Sequence, residues 1–267
     1  MHYQELIEPL VALAREAGER IMEVYSTEFD VESKDDDSPL TLADLASHNT
    51  LVAGLSELAP DIPILSEEGG MPPFEERSKW HRYWLIDPLD GTKEFVNRNG
   101  EFTVNIALIV QHEPVLGIVR VPAKDVTYVG CEGHGADRRH RDEKAVRIHV
   151  AKKHSHPARI VGSRSHRGAS LDAFLDRVGD YELVPMGSSL KFCVVADGDA
   201  DVYPRLGPTS EWDTAAAQAV VEQAGGSVVT TDGERLAYNT KDDILNPYFL
   251  VIGAADRDWL ALLPPGE

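Results

Sequence analysis

The sequence predicts a layered α/β protein in two parts. Apolar residues at helical spacing over residues 3–25 predict an amphipathic helix. Short apolar runs separated by turns over residues 103–130 predict an antiparallel meander. From Ile148 onward, predicted strands alternate with predicted helices, which is typical of an α/β layer. We therefore expect an N-terminal α+β domain over residues 1–140 and a C-terminal α/β domain over residues 141–267.

The second predicted helix carries a candidate functional acid near its start. Thr41 is the expected N-cap, Asp44 stands at the third helical position, and Pro60 follows the helix end near Leu58. Taken alone, Asp44 is best explained by capping and by the helix dipole. A catalytic role requires that this helix start face an acidic cluster.

A buried strand in the centre of the first half ends in two acids. The run Tyr83-Trp84-Leu85-Ile86 leads into the sequence DPLDGT at residues 87–92. Pro88 has no N–H group, so the sheet ladder is expected to stop there. Asp87 and Asp90 would raise each other's pKa unless a cation lies between them. Mg²⁺ prefers oxygen ligands of this kind, although a bare D-P-x-D-G pattern is also typical of a polar turn.

Two other segments place acids at the ends of predicted elements. The short strand at residues 63–66 is followed by Glu67, and a predicted helix over residues 212–223 has Asp213 in its first turn. Acids at three separate element ends are the arrangement that a metal-dependent phosphatase requires.

The second half also contains two polar loops. Its predicted strands cover residues 160–162, 181–186, 202–203, 227–230 and 248–252, and its predicted helices end near Val178, Ala196, Gln223 and Leu262. The loops at 163–168 and 187–189 combine serines with basic residues, and Arg205 adds a third cationic position, which favours a phosphorylated ligand. Ordinary helix capping by serine is the alternative for each loop. The charged segment 131–144 is expected to be an exposed, mobile connection.

Composition limits the partners. The formal net charge of −19 argues against binding to DNA or RNA, because such an acidic surface repels phosphate backbones. The charge is equally compatible with plain solubility or a salty cytoplasm. The sequence shows neither a transmembrane-length apolar run nor a signal-peptide pattern. Two distant cysteines, Cys131 and Cys193, indicate a reducing compartment, so a cytoplasmic location is expected, with loose peripheral membrane association left open.

The acidic segments resemble those of the inositol monophosphatase superfamily of Mg²⁺-dependent, lithium-sensitive phosphatases. The motifs are SPLTLAD (38–44), SEEG (66–69), DPLDGT (87–92) and WDTAA (212–216). Within it, GSRSH (162–166), GSSLKFC (187–193) and ADVYPRLGPTSEWDTAA (200–216) resemble the bacterial 3′(2′),5′-bisphosphate nucleotidases. The resemblance implies an αβαβα sandwich with two sub-domains. Two departures are Ala217, where the family usually has Gly, and the charged segment 131–145.

The resemblance also implies a set of site residues. The implied metal ligands are Glu67, Asp87, Asp90, Asp213 and the Leu89 carbonyl. The implied catalytic residues are Asp44, Thr92 and Glu67, with the first two beside a water nucleophile. The implied substrate-binding residues are Gly91, Thr92, Ser165, His166, Ser188, Lys191, Arg205 and Asp213.

The implied reaction is in-line hydrolysis of the 3′-phosphate of 3′-phosphoadenosine 5′-phosphate to AMP and phosphate, with two or three Mg²⁺ ions. This would serve sulfur assimilation and nucleotide recycling. Alternatives are an inositol-1-phosphate or fructose-1,6-bisphosphate phosphatase of the same superfamily, or a non-catalytic sensor of nucleotide and Mg²⁺. The complete set of acids together with Thr92 argues against the sensor. The partner is a small phosphorylated nucleotide, and a homodimer is left open.

Overall fold

Two β-sheets alternate with layers of helix in the computed structural model, which describes residues 2–27, 39–141, 143–162 and 168–264. The α-helices of this part are α1 (Ile7–Tyr25), α2 (Pro39–Leu58), α3 (Phe74–Arg77), α4 (Thr92–Val96), α5 (Ala169–Val178), α6 (Leu190–Ala196) and α7 (Ala215–Gln223). Short 3₁₀ helices cover Tyr3–Leu6, Pro122–Lys124 and Leu260–Leu262.

The first sheet follows chain order. Its strands are β1 (Ile64–Ser66), β2 (Arg82–Asp90), β3 (Thr103–Val110), β4 (Glu113–Val121), β5 (Val126–Cys131), β6 (Gly135–His140) and β7 (Val146–Arg147). Strands β1 and β2 pair in parallel, and every later pair is antiparallel. The predicted antiparallel meander is therefore confirmed.

The second sheet has a mixed topology. Its strands are β8 (Ala158–Gly162), β9 (Tyr181–Pro185), β10 (Val202–Arg205), β11 (Ser227–Thr230) and β12 (Phe249–Ile252). They lie in the order β11-β12-β10-β8-β9, with β12 antiparallel to both of its neighbours.

Alternating side chains of β2 show how the layers stack. Trp84 and Ile86 pack with α1 and α2 in one core, whereas Tyr83 and Leu85 point to the opposite face, into the core shared with α6 and α7. A third core lies between the second sheet and α5. The predicted αβαβα sandwich is thus confirmed.

Helix α7 lies unusually close to the first sheet. A Cβ atom added to Gly117 would lie 2.0 Å from the carbonyl oxygen of Ala216, so only glycine fits there. Ala217, the departure from the family pattern, is fully buried in the core between the sheets. Small residues on both sides bring the turn before α7 close to the ends of the first sheet's strands.

The segment 131–144, expected to be exposed and mobile, instead contains the whole of β6. Gly135–His140 pairs with β5, and both Ala136 and Asp137 are buried. Ion pairs of Asp137 with Arg139 and of Arg138 with Asp197 compensate its charged side chains, so the strand forms without the apolar pattern that predicts one. Because β7 also joins this sheet, the first sheet extends past residue 140, and the two-domain division stays a prediction.

Four expected boundaries were wrong. Helix α2 begins at Pro39, so Thr41 is inside the helix rather than its N-cap. Helix α7 begins at Ala215, because the N–H groups of Thr214 and Ala215 bond to the Glu211 carbonyl in a preceding turn. Strand pairing resumes beyond Pro88, where Asp90 pairs with Thr103 after a register shift. In the last segment, Leu260–Leu262 is a 3₁₀ helix, where an α-helix was expected.

Candidate active site

Acids from three chain segments meet at one end of the first sheet. Strands β1 and β2 are parallel neighbours with Ser66 opposite Ile86, so Glu67 and Asp87 emerge side by side. The turn before α7 adds Asp213. One carboxylate oxygen from each of these three acids lies within 4.8 Å of the other two. The structure therefore brings together residues that are up to 146 positions apart in the sequence, from Glu67 to Asp213.

Asp87 is the most buried acid of this cluster. Its side chain is only 1% exposed, and its Oδ1 accepts the N–H of Leu89 at 3.0 Å. The Glu67 N–H bonds to the carbonyl of Ile86 at 3.3 Å, which ties the Glu67 segment to the same strand. The Leu89 side chain is buried in the core with α1 and α2, and the role of its carbonyl as a ligand stays a prediction.

Asp90 is held by the start of α6. Its Oδ2 accepts the N–H of Ser189 at 2.6 Å and the Ser189 hydroxyl at 2.7 Å. Sequence reasoning had considered only helix capping and phosphate binding for this serine loop, and so missed the contact with Asp90. The two serines of GSSLKFC were the available signal in the sequence. Only the fold shows that Ser188 and Ser189 contact different groups.

Asp213 is held by its own turn. Its Oδ2 accepts the Thr209 hydroxyl at 2.7 Å and the Ser210 N–H at 3.1 Å. These two hydrogen bonds hold the Asp213 carboxylate in place in the turn that precedes α7. Thr209 was not among the predicted site residues, and its position four residues before the acid was the only local signal.

Helix α2 packs its polar side against the acidic segments. The Ser47 hydroxyl donates to the Pro88 carbonyl at 2.7 Å, and Nδ1 of His48 lies 2.9 Å from the Ser66 hydroxyl oxygen. Asp44 is one turn away on the same helix and is half-buried. The helix start thus faces the cluster, which is the condition that a functional role for Asp44 required.

Burial and mutual repulsion shift the acids towards their protonated forms. Burial, followed by the charges of Glu68 and Glu67, raises the pKa of Asp44 to about 8. Partial burial in the cleft and the charge of Asp213 raise the pKa of Glu67 to about 7. Burial and then Asp90 raise the pKa of Asp213 to about 6, and the same two causes put the pKa of Asp87 well above its usual range. A bound cation would remove this repulsion.

A cavity of about 130 Å³ adjoins the acids and is lined by both acidic and basic side chains, of which Lys191 and Arg205 form its basic side. Its lining includes Asp90, Gly91, Ser188, Lys191, Arg205 and Asp213. Gly91 has φ +99°, and a Cβ atom there would lie 3.1 Å from that of Ser188, so the narrow floor of the cavity requires glycine. Besides Asp213, four predicted substrate-binding residues line this cavity: Gly91, Ser188, Lys191 and Arg205.

A larger cavity of about 500 Å³ shares Tyr203 and Arg205 with the first. It adds Lys93 and the apolar side chains of Leu171 and Leu206. The two cavities are therefore neighbours at Tyr203 and Arg205, and the larger one is lined by basic and apolar side chains.

Comparison with known proteins agrees with this architecture. Residues 2–257 match the model of the inositol monophosphatase family. This chain belongs to the inositol monophosphatase family.

Several similar proteins within the family are named 3′(2′),5′-bisphosphate nucleotidases. The chain is 48% identical to the 3′(2′),5′-bisphosphate nucleotidase CysQ of Salmonella typhimurium, over 92% of this chain and 99% of that protein. It is 34% identical to CysQ of Haemophilus influenzae over 97% of both chains. The crystal structure of CysQ from Bacteroides thetaiotaomicron superposes with a TM-score of 0.86 at 40% identity, covering 96% of this chain and 99% of that one.

Enzymes of the inositol monophosphatase family depend on Mg²⁺, and the donor set of this chain fits such an ion. Glu67, Asp87 and Asp213 offer only oxygen atoms, which hard divalent cations prefer, and they lie close enough to share one ion. The individual ligand roles, including that of Asp90, stay predictions.

The remaining predicted residues of the family site fall in two groups. Thr92 is the first residue of α4, is exposed, and follows Gly91 at the cavity floor. Ser165 and His166 belong to residues 163–167, which lie outside the described part of the chain, so their roles also stay predictions. Among the helices that the structure describes, none has both the length and the apolar character needed to span a lipid bilayer.

Proposed function

We propose that the protein is a Mg²⁺-dependent 3′(2′),5′-bisphosphate nucleotidase, which hydrolyses the 3′-phosphate of 3′-phosphoadenosine 5′-phosphate to AMP and phosphate. The observation that carries the proposal is that Asp213 of the acidic cluster lines the same cavity as Arg205, which also lines the larger basic cavity. The names of relatives at 34% to 48% identity support the same substrate class.

The acidic side provides the chemistry. Glu67, Asp87, Asp90 and Asp213 would hold two or three Mg²⁺ ions. When bound, Mg²⁺ supplies positive charge that neutralises the phosphate and lowers the pKa of water. The N–H groups of Gly91 and Thr92 would orient the phosphate for in-line attack, and Asp44 with Thr92 would hold the attacking water.

The basic side selects the substrate. Lys191 and Arg205 line the smaller cavity, and Lys93 and Arg205 line the larger one, so a second phosphate on the substrate meets cationic side chains. Leu171 and Leu206 offer an apolar surface for the base. Inositol-1-phosphate has neither group and would leave the larger cavity unused, which is why we place it second.

Two further properties belong to the proposal. Cys131 and Cys193 are both buried free thiols, which supports a reducing cytoplasm. The oligomeric state stays open between monomer and homodimer, and measuring the mass of the protein in solution decides between them.

The test is phosphate release from 3′-phosphoadenosine 5′-phosphate, inositol-1-phosphate and fructose-1,6-bisphosphate at equal Mg²⁺, with EDTA as the metal-free control. We expect the highest kcat/KM for the nucleotide and loss of turnover in EDTA. A preference for the inositol ester would replace the proposed substrate. Tight nucleotide binding without phosphate release in Mg²⁺ would instead identify a sensor.

A further inference from the structure

The turn at residues 187–189 lies between the acidic cluster and the substrate cavity. Ser188 has φ +44°, a left-handed conformation that is unfavourable for a residue other than glycine. Such a conformation persists only where the surrounding structure holds it. The contacts that hold this turn therefore indicate which groups it positions.

Glu101 holds the turn from one side. This residue is only 5% exposed, its Oε2 accepts the Gly187 N–H at 2.8 Å, and its carbonyl accepts the Ser188 hydroxyl at 2.6 Å. A Cβ atom at Gly187 would lie 2.4 Å from Cγ of Glu94, so the turn is also packed tightly against α4. Glu101 precedes β3 and thus anchors the turn to the first sheet.

Ser189 connects the other side of the turn to the acids. Its hydroxyl oxygen lies 2.7 Å from Oδ2 of Asp90 and 2.6 Å from the Asp213 carbonyl oxygen, and it accepts the Asn105 amide at 2.9 Å. The hydroxyl has one proton, and the charged carboxylate is the stronger acceptor. One side chain therefore contacts two segments that carry metal-site acids, as well as a central strand of the sheet.

We propose that Ser189 is a positioning residue, tied in place by Glu101, that orients the Asp90 carboxylate for metal binding and aligns it with the substrate cavity. This inference rests on the metal-dependent phosphatase proposed above. It assigns to the turn a role that neither helix capping nor phosphate binding includes. Displacing the turn would move Asp90 and the cavity floor together, because Ser188 packs against Gly91.

The first test is Ser189→Ala, with Mg²⁺ affinity measured calorimetrically on the protein without substrate. We expect affinity to fall about tenfold, the lower end of the effect of losing an outer-shell partner, because the Ser189 N–H still binds Asp90. Ser189→Thr restores a hydroxyl and should recover most of the affinity. Thr127→Val, which removes a buried hydroxyl from β5 away from the cleft, should leave the affinity unchanged.

The second test is Glu101→Ala, which removes the carboxylate that accepts the Gly187 N–H. We expect a higher KM for the nucleotide together with weaker Mg²⁺ binding, and rescue of both by Glu101→Gln, which keeps an acceptor oxygen. A purely structural role would lower the melting temperature in EDTA without changing either constant.

The outcomes separate the two proposals. Unchanged Mg²⁺ affinity in folded Ser189→Ala would overturn the positioning role while leaving the nucleotidase intact. Weaker Mg²⁺ binding in that variant, with a wild type that releases no phosphate from any of the three esters, would support the positioning role and overturn the function. If Ser189→Ala does not fold, unchanged Mg²⁺ affinity and KM in folded Glu101→Ala would overturn the positioning role, and loss of both would support it.

Discussion

The acidic and basic sides of the cleft are built from different kinds of structure. On the acidic side, Asp87 is within a buried strand and Glu67 follows its parallel neighbour, so backbone pairing sets their relation. On the basic side, Lys191 and Arg205 are long side chains at the ends of short elements, and they donate hydrogen bonds to the nearby carbonyls of Ser188 and Pro208. Strand pairing places Glu67 and Asp87, whereas the two basic groups lie at the ends of long side chains that stand next to turns.

This difference assigns chemistry and substrate choice to separate regions. A sheet edge holds carboxylates where a metal ion needs them, and turns change more readily without disturbing the core. Substitutions on the two sides should therefore affect different kinetic constants.

The largest effect is expected from Asp90→Asn. Asparagine has the same shape and can still accept from Ser189, but it lacks the charge that Mg²⁺ requires. We expect kcat to fall by about two to four orders of magnitude, since metal assistance is worth several kcal/mol. The melting temperature in EDTA should not fall, because the substitution removes repulsion among the acids. Normal turnover in Mg²⁺ would show that the acidic side is not a metal site.

Arg205→Ala tests the basic side. A charge-assisted hydrogen bond contributes about 1.5–3 kcal/mol, so KM for the bisphosphate nucleotide should rise about ten- to a hundredfold. KM for inositol-1-phosphate, which has no second phosphate, should change little. Arg20→Ala removes an exposed arginine that pairs with Glu23, far from the cleft, and is the matched control. An equal rise in KM for both substrates would contradict the assignment of substrate choice to the basic side.

Sequence reasoning predicted most of the fold because its signals are periodic. The amphipathic helix at residues 3–25, the meander and helix α6 at Leu190–Ala196 follow from apolar spacing alone. It failed at β6, whose charged side chains form ion pairs, Asp137 with Arg139 and Arg138 with Asp197, and hide the strand pattern. It also misplaced the start of α7. The backbone hydrogen bonds from Thr214 and Ala215 to the Glu211 carbonyl belong to a turn that no local sequence pattern predicts.

The candidate site was predictable only in part. Acids at the ends of predicted strands and helices identified Glu67, Asp87 and Asp213, and the structure brings these three together. Ser189, Glu101 and Thr209 were missed, since each acts through a contact with a residue that is distant or lies in an irregular turn. Partners of this kind leave at most a weak local signal in the sequence.

Raised pKa values on the acidic side predict a pH-dependent effect of Mg²⁺ on stability. Burial and neighbouring acids raise the pKa of Asp44 to about 8, of Glu67 to about 7 and of Asp213 to about 6, compared with about 4 in an unfolded chain. Between these values the folded state binds more protons than the unfolded state. The free energy of unfolding of the metal-free protein therefore falls as pH rises through this window.

Mg²⁺ binds the deprotonated acids, so its stabilisation should grow over the same window. We expect the melting temperature in millimolar Mg²⁺ to exceed that in EDTA by a margin that widens from about pH 6 to about pH 8. Taking the difference at each pH cancels titrating groups that the metal does not affect. A constant margin would contradict the assignment of these acids to a metal site.

The smallest effect is expected from Thr209→Val, which bears on the boundary between the two sides. Thr209 lines the smaller cavity, yet its hydroxyl donates to Oδ2 of Asp213. The Ser210 N–H donates to the same oxygen and remains, so the loss is about 1 kcal/mol. The Mg²⁺ concentration for half-maximal activity should rise about fivefold, while KM for the nucleotide stays unchanged and Thr127→Val behaves as wild type. A change in KM alone would assign Thr209 to the substrate side and move the boundary beyond Asp213.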